Sequence, residues 1–143
     1  MMSLEEENKS LIREVTEKIW NHRRLDLIPQ YYSPEFVADY QPYSRRTGHE
    51  GIRAMVEGAQ AAFPDYHEEL KQLVAEGSFV VAWLRNSGTQ TGQWGQLPPT
   101  GKHFEVEEMV ILEIRDGKIV WQRGIPDNLN TLRQLGVIPT PRS

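Results

Sequence analysis

The stretch Asn86-Ser87-Gly88-Thr89-Gln90-Thr91-Gly92-Gln93-Trp94-Gly95-Gln96-Leu97-Pro98-Pro99-Thr100-Gly101-Lys102 joins two long strand-like runs. Its glycines free the backbone for tight or left-handed geometry, and its paired prolines stiffen the chain beyond them. Thr89, Gln90 and Thr91 place three hydrogen-bonding side chains where the first run ends. The loop therefore reads as the rim of a pocket, with polar groups beside it to hold a ligand.

Working outward, Phe79 to Thr91 and His103 to Arg115 alternate as strands. Asp116-Gly117 is a two-residue hairpin signal, and Lys118 to Ile125 returns antiparallel. Upstream, Gly77-Ser78 turns the chain out of a weaker strand, Tyr66 to Glu76. The N-terminal half is helical. Ser3 and Glu6 form a capping-box pattern, and Leu4, Leu11, Ile12, Val15 and Ile19 repeat at helical spacing, predicting a helix from residue 4 to His22. A short helix is expected over Leu25 to Tyr32, then a strand over Phe36 to Tyr40. A third helix should open at the Thr47/Glu50 capping box and stop at Phe63-Pro64-Asp65. Leu129, Leu132 and Leu135 predict a last short helix, with Gly136 at its end and a loose tail from Pro139 to Ser143. Helices followed by a meander of long strands make an α+β fold. A curved antiparallel sheet wrapped around the N-terminal helices gives a cone with a deep apolar cavity, expected as one domain over residues 1–143.

The composition bounds the chemistry. Of 143 residues, 38% are hydrophobic and 25% charged, which suits a folded domain with a core of its own. The absence of cysteine removes disulfides, thiolate nucleophiles and zinc–sulfur sites. A net charge of −4 provides no field for nucleic acid. Met1 to Asn8 is acidic rather than a basic leader, and no apolar run reaches membrane-spanning length, so a cytoplasmic protein without membrane or nucleic-acid partners is expected. His22, His49, His67 and His103 lack metal-ligand spacing, and no phosphate loop, nucleophile elbow or His-Glu-x-x-His pattern occurs. No metal and no cofactor are expected.

Strand alternation places polar residues in apolar rows. Glu108 shares a face with Phe104, Val106, Val110, Leu112 and Ile114. It stands either at a cavity mouth, where a raised pKa suits acid–base work, or on a part of that face open to water; strand ends and bulges favour the second. Asn86 and Gln90 share a face with Val80, Ala82 and Leu84. They either enter a pocket as neutral donors or satisfy backbone groups at a strand end. On the last strand Ile119, Trp121, Arg123, Ile125 and Asp127 fall on one side. Asp127 is the leading catalytic residue on this reading and also a good N-cap for the helix after it; the two roles are compatible. Arg123 lies roughly 13 Å away along a regular strand, a gap that a kink at Gly124 would shorten. Tyr40, Trp83, Trp94 and Trp121 are candidate cavity walls.

These residues, taken in order, resemble the SnoaL-like polyketide cyclases or ester cyclases of the nuclear transport factor two-like superfamily. The resemblance runs through Gly48-His49-Glu50-Gly51-Ile52-Arg53, Ala62-Phe63-Pro64-Asp65, Ser87-Gly88-Thr89-Gln90-Thr91-Gly92, Leu97-Pro98-Pro99-Thr100-Gly101-Lys102, Arg115-Asp116-Gly117-Lys118-Ile119, Asp127 and Gln134-Leu135-Gly136. It implies a cone-shaped fold, a homodimer or higher assembly through the sheet, no cofactor, and an aspartate at the place of Asp127 acting as base in an intramolecular aldol condensation. Many relatives carry histidine where this chain has Gln90, and a His-Trp pair where it has Gln122 and Arg123. The expected function is thus a cyclase, lyase or isomerase acting on an apolar, carbonyl-bearing small molecule, with Asp127 as base and Gln90 and Asn86 as donors. The alternatives are a non-catalytic binding or assembly domain with a degenerate site, and a cofactor-free hydroxylase.

Overall fold

A computed structural model describes residues 1–141. Helix α1 spans Leu4–Val15, opened by Ser3, whose hydroxyl accepts the Glu6 amide at 3.1 Å. Glu5, Glu6 and Glu7 in its first turn face the positive end of the helix dipole. The helix continues as a π-helical turn over Thr16–Asn21, so the single predicted helix holds with a widened end.

The predicted helix over Leu25 to Tyr32 is instead a 3-10 turn, Leu25–Leu27, followed by α2, Ile28–Tyr31. Strand β1 then starts at Tyr32 and runs to Ala38, earlier than expected. Pro34 is tolerated because the pairing of β1 is interrupted between Tyr32 and Val37, where no ladder N–H is required. A two-residue strand, β2 (Arg46–Thr47), leads into α3, Gly48–Ala62. The capping box expected from Thr47 is not made: no side chain caps this helix.

The meander comes next, as predicted: β3 His67–Glu76, β4 Phe79–Thr89, β5 His103–Arg115, β6 Lys118–Pro126, then α4 Asn128–Gln134. The sheet order is β2-β1-β6-β5-β4-β3. Strands β3 to β6 pair antiparallel, and β1 joins β6 in parallel. The sheet stays open and curves around α1 and α3. No helix among the described residues is long and apolar enough to cross a membrane.

The alternation read on β4 and β5 holds, with Val80, Ala82, Leu84 and Asn86 inward against Phe104, Val106, Glu108, Val110 and Leu112. On β6 it fails. Glu113 pairs with Trp121 but Ile114 pairs with Ile119, which leaves Val120 as a bulge. One extra residue flips every side chain beyond it. Ile119 points inward, and so do Gln122 and Gly124, while Trp121, Arg123 and Ile125 turn to the outer face.

The buried apolar residues form two clusters. The larger holds Ile12, Ile19, Phe36, Leu84, Val110 and Leu112; the smaller holds Phe63, Phe104, Val106 and Leu135. On β4 and β5 the boundary between them falls at Asn86 and Glu108. The site lies in that gap.

Candidate active site

A cavity of about 540 Å³ opens between the helices and the inner face of the sheet. That is a usual size for a small-molecule site. Met55, Ala59, Leu84, Val110 and Leu112 supply apolar wall, and Trp94, Tyr43 and Arg46 belong to the lining contributed by loops and β2.

Across its floor run Glu68, Asn86 and Glu108, from three adjacent strands. Glu68 faces Asn86 across the β3–β4 pair. The Asn86 amide donates from Nδ2 to Glu108 Oε1 at 2.8 Å. Tyr66 Oη donates to Glu68 Oε2 at 2.7 Å. The Asn21 side chain brackets the backbone of Glu68, donating to its carbonyl and accepting its N–H, both at 2.8 Å. This clamp fixes the start of β3 against the π-helical turn and sets the position of the Glu68 carboxyl.

Both carboxyl groups are buried, Glu68 at 6% and Glu108 at 9% exposure. Loss of water disfavours their charged forms. Burial pushes Glu108 up to about 7, opposed by the Asn86 hydrogen bond. Burial, then the nearby Glu108, pushes Glu68 up to about 8, opposed by Tyr66. No arginine or lysine contributes to either shift. Tyr40 and Tyr66 are likewise raised well above the usual phenol range, chiefly by burial, so both are neutral donors at ordinary pH.

The other polar groups beside these two carboxyls are neutral. Gln122 donates from Nε2 to Tyr40 Oη at 2.8 Å. Asn86 Oδ1, Gln122 Oε1 and Tyr32 Oη are buried without a protein partner, and all three residues line the cavity. Buried polar atoms are rarely left unpaired, so these are the places where a ligand's polar groups would be received. Gly124 makes room for the arrangement. A Cβ there would overlap Glu108 Oε2 and come within 2.8 Å of Tyr40 Oη.

Of the residues singled out from sequence, Asn86, Glu108, Tyr40 and Trp94 line the cavity. Glu108, whose strand position favoured a solvent-facing place, is enclosed, with Asn86 on one carboxyl oxygen and Gly124 and Tyr40 packed by the other. Five others are not among the lining residues. Asp127 is exposed and accepts the Asn130 amide at 3.1 Å as the N-cap of α4; the Val120 bulge puts it on the outward face. Gln90 is fully buried but in the loop. It donates to the carbonyls of Leu97 and Pro98 at 3.3 and 3.1 Å and accepts from the Thr100 amide and hydroxyl at 3.2 and 2.7 Å. Trp83 sits on the outer face with its indole N–H on Glu107 at 2.9 Å. Trp121 and Arg123 are also outward, the latter 4.0 Å from Asp39. Among the described residues, no group of three or more His, Asp or Glu is arranged to hold a metal ion.

Glu68 and Tyr66 escaped the sequence reading. The signal was weak because a bulge between Leu70 and Gln72 breaks the alternation of β3, so Glu68 does not appear in register with buried Leu73.

Residues 10–135 match the model of the SnoaL-like polyketide cyclases. The chain belongs to that family. This SnoaL-like chain is 30% identical over 119 residues to nogalonic acid methyl ester cyclase of Streptomyces nogalater, covering 82% of itself and 89% of the relative. It is 32% identical over 137 residues to aklanonic acid methyl ester cyclase DnrD of Streptomyces peucetius, covering 92% of each. Among solved structures, a protein of Jannaschia sp. CCS1 superposes with a TM-score of 0.88 at 20% identity, covering 97% of this chain and 98% of that one, and so shares the fold. AclR of Streptomyces galilaeus, a proposed hydroxylase, reaches 0.81 at 26% identity over 96% of this chain and 85% of its own. With named cyclases as relatives and a family model matched over most of its length, the chain is an enzyme of the polyketide cyclase type.

Proposed function

We propose that this SnoaL-like protein closes a ring in an apolar, carbonyl-bearing small molecule by intramolecular aldol chemistry, with no cofactor and with Glu108 as the base. The observation that carries the reading is the Glu108 carboxyl, buried in the cavity with no cation beside it and held by Asn86. A carboxylate deprived of water is a stronger base than in solution. A carbon flanked by two carbonyls is acidic enough to meet it. Removal of that proton gives an enolate, whose carbon attacks a second carbonyl within the same molecule. Asn86 and the Tyr40–Gln122 pair are the neutral donors nearest to where negative charge develops, and such donors need no reorganisation as the charge appears. The relatives named as methyl ester cyclases support this class of reaction.

Asp127 enters as the rival base, because the family resemblance points to it while its N-cap position takes it away from the lining. Two substitutions separate the two carboxylates. Glu108→Gln is expected to cut turnover by about two to four orders of magnitude, the usual worth of a positioned base. Asp127→Asn keeps an N-cap acceptor and is expected to retain near-normal turnover and stability. The reverse pattern would return the base to Asp127. The likeness to AclR favours a second reading, in which the same enolate reacts with dioxygen; oxygen uptake that tracks substrate loss would identify it.

The outer face of the sheet carries exposed Val74, Val81, Met109, Ile111 and Ile125. Bordering them are the ion pairs Arg85–Glu105 at 2.7 Å and Arg115–Glu113 at 2.8 Å, which leave the patch without a single sign of charge. A second copy of the chain is the proposed occupant, giving a homodimer packed sheet to sheet.

A further inference from the structure

We infer that Glu68 is a second catalytic group of this site, the acid that delivers a proton to the oxygen formed when the ring closes. The inference rests on Glu108 as base and adds a donor of its own. Glu68 lies on the same cavity floor, one strand beyond Asn86, so the amide stands between the two carboxyls. Its backbone is clamped by Asn21 and its Oε2 is held by Tyr66, so the carboxyl is preset rather than free to turn away.

The protons and electrons balance without any further reagent. Glu108 takes the proton from the activated carbon. The carbanion's electron pair forms the new carbon–carbon bond, and the carbonyl π pair moves onto oxygen. Glu68 then gives that oxygen its proton. The product is a neutral β-hydroxy ketone, and the two carboxyls have exchanged protonation states. One proton must return from Glu108 to Glu68, through solvent at the cavity mouth, before the next turnover.

The electrostatics fit this division of labour. The groups facing Glu68 are Tyr66 from the segment before β3, Tyr32 from β1, Tyr40 after β1, and Glu108 from β5, with no cation among them. Glu108 is the easier of the pair to ionise and Glu68 the harder, so between about pH 7 and about pH 8 one proton resides mainly on Glu68.

The test uses two probes. One is a linear diketone, which can only lose and regain deuterium at its central methylene. The other is a linear triketone, which can also close to a cyclohexanone. The full-length wild type is expected to accelerate both exchange and closure, with a bell-shaped pH profile for closure. Glu68→Gln should keep deuterium exchange within a few-fold of wild type and lose closure by about a hundredfold or more. The basic limb of the closure profile should vanish with it. Tyr66→Phe removes a partner that favours the charged form of Glu68. It should slow closure, because the Glu68 carboxyl loses the partner that presets it, and move the basic limb upward, a readout that survives if Glu68→Gln folds poorly. Closure at the wild-type rate in Glu68→Gln, or an unmoved limb in Tyr66→Phe, overturns the inference alone. Failure of the wild type to exchange the diketone would overturn the base reading beneath it.

Discussion

Glu108 shows how much one residue's surroundings decide. Its row on β5 was legible from alternation, and so was the oddity of a carboxylate among Val106, Val110 and Leu112. Which side of that oddity was true was not legible, because nothing local to β5 says that Asn86, Tyr40 and Gly124 close around the carboxyl. The consequence is measurable in stability as well as in turnover. Both Glu108 and Glu68 bind their protons more tightly in the folded protein than in the unfolded chain, where a glutamate titrates near 4.5. The folded state therefore holds more protons than the unfolded state across the interval between, and stability falls as pH rises. This contribution is fully present below about 4.5 and is lost by about 8. Thermal melts of the wild type should show a falling melting temperature over that window. The slope should shrink in Glu108→Gln and in Glu68→Gln, and an identical slope in all three proteins would refute the assignment.

At the scale of elements, the meander was readable and its irregularities were not. The hairpin at Asp116-Gly117 has Asp116 and Gly117 both at positive φ, 51° and 73°, as its sequence demands. The bulge at Val120 carries no such mark, yet it decides which of Gln122 and Arg123 sees the cavity. The loop after β4 gives the opposite lesson. Gln90 is legible as special, but its work is to hold the loop together. Its amide replaces the strand ladder for Leu97, Pro98 and Thr100, and so fixes the turn that carries Trp94 against Phe63, 5.5 Å between ring centroids. An imidazole missing from position 90 therefore says little about acid–base chemistry on the cavity floor. Gln90→Ala is expected to cost about 1–3 kcal/mol by stranding these partners. The Thr100 amide should exchange with solvent at least about tenfold faster, seen by hydrogen exchange, while the pH profile of turnover keeps its shape. A shifted profile would put Gln90 back among the catalytic groups.

For the molecule as a whole, the sheet has two different faces. The inner one is divided by a polar row into two apolar clusters, and the outer one exposes its own apolar centre. Strand composition told of both, since Val81, Met109 and Ile111 alternate with the inward residues on β4 and β5. It could not say what covers the outside. The wild type should sediment as a dimer at micromolar concentration. Met109→Glu, which introduces charge at the centre of the outer patch, should sediment as a monomer with its cavity chemistry intact. A monomeric wild type would remove the dimer from the reading.

The close approach at Gly124 reaches beyond this one chain. Glu108 and Tyr40 occupy the volume that any side chain on that residue would need, so the two strand positions are a single choice. Gly124 itself pairs with Val110, and the Glu108 carboxyl and Tyr40 ring reach over it from neighbouring positions, so a side chain at the place of Gly124 must displace both. An acid at the place of Gly124 is therefore expected to exclude a glutamate at the place of Glu108. Sequences of the family, aligned at these two positions, should show that mutual exclusion.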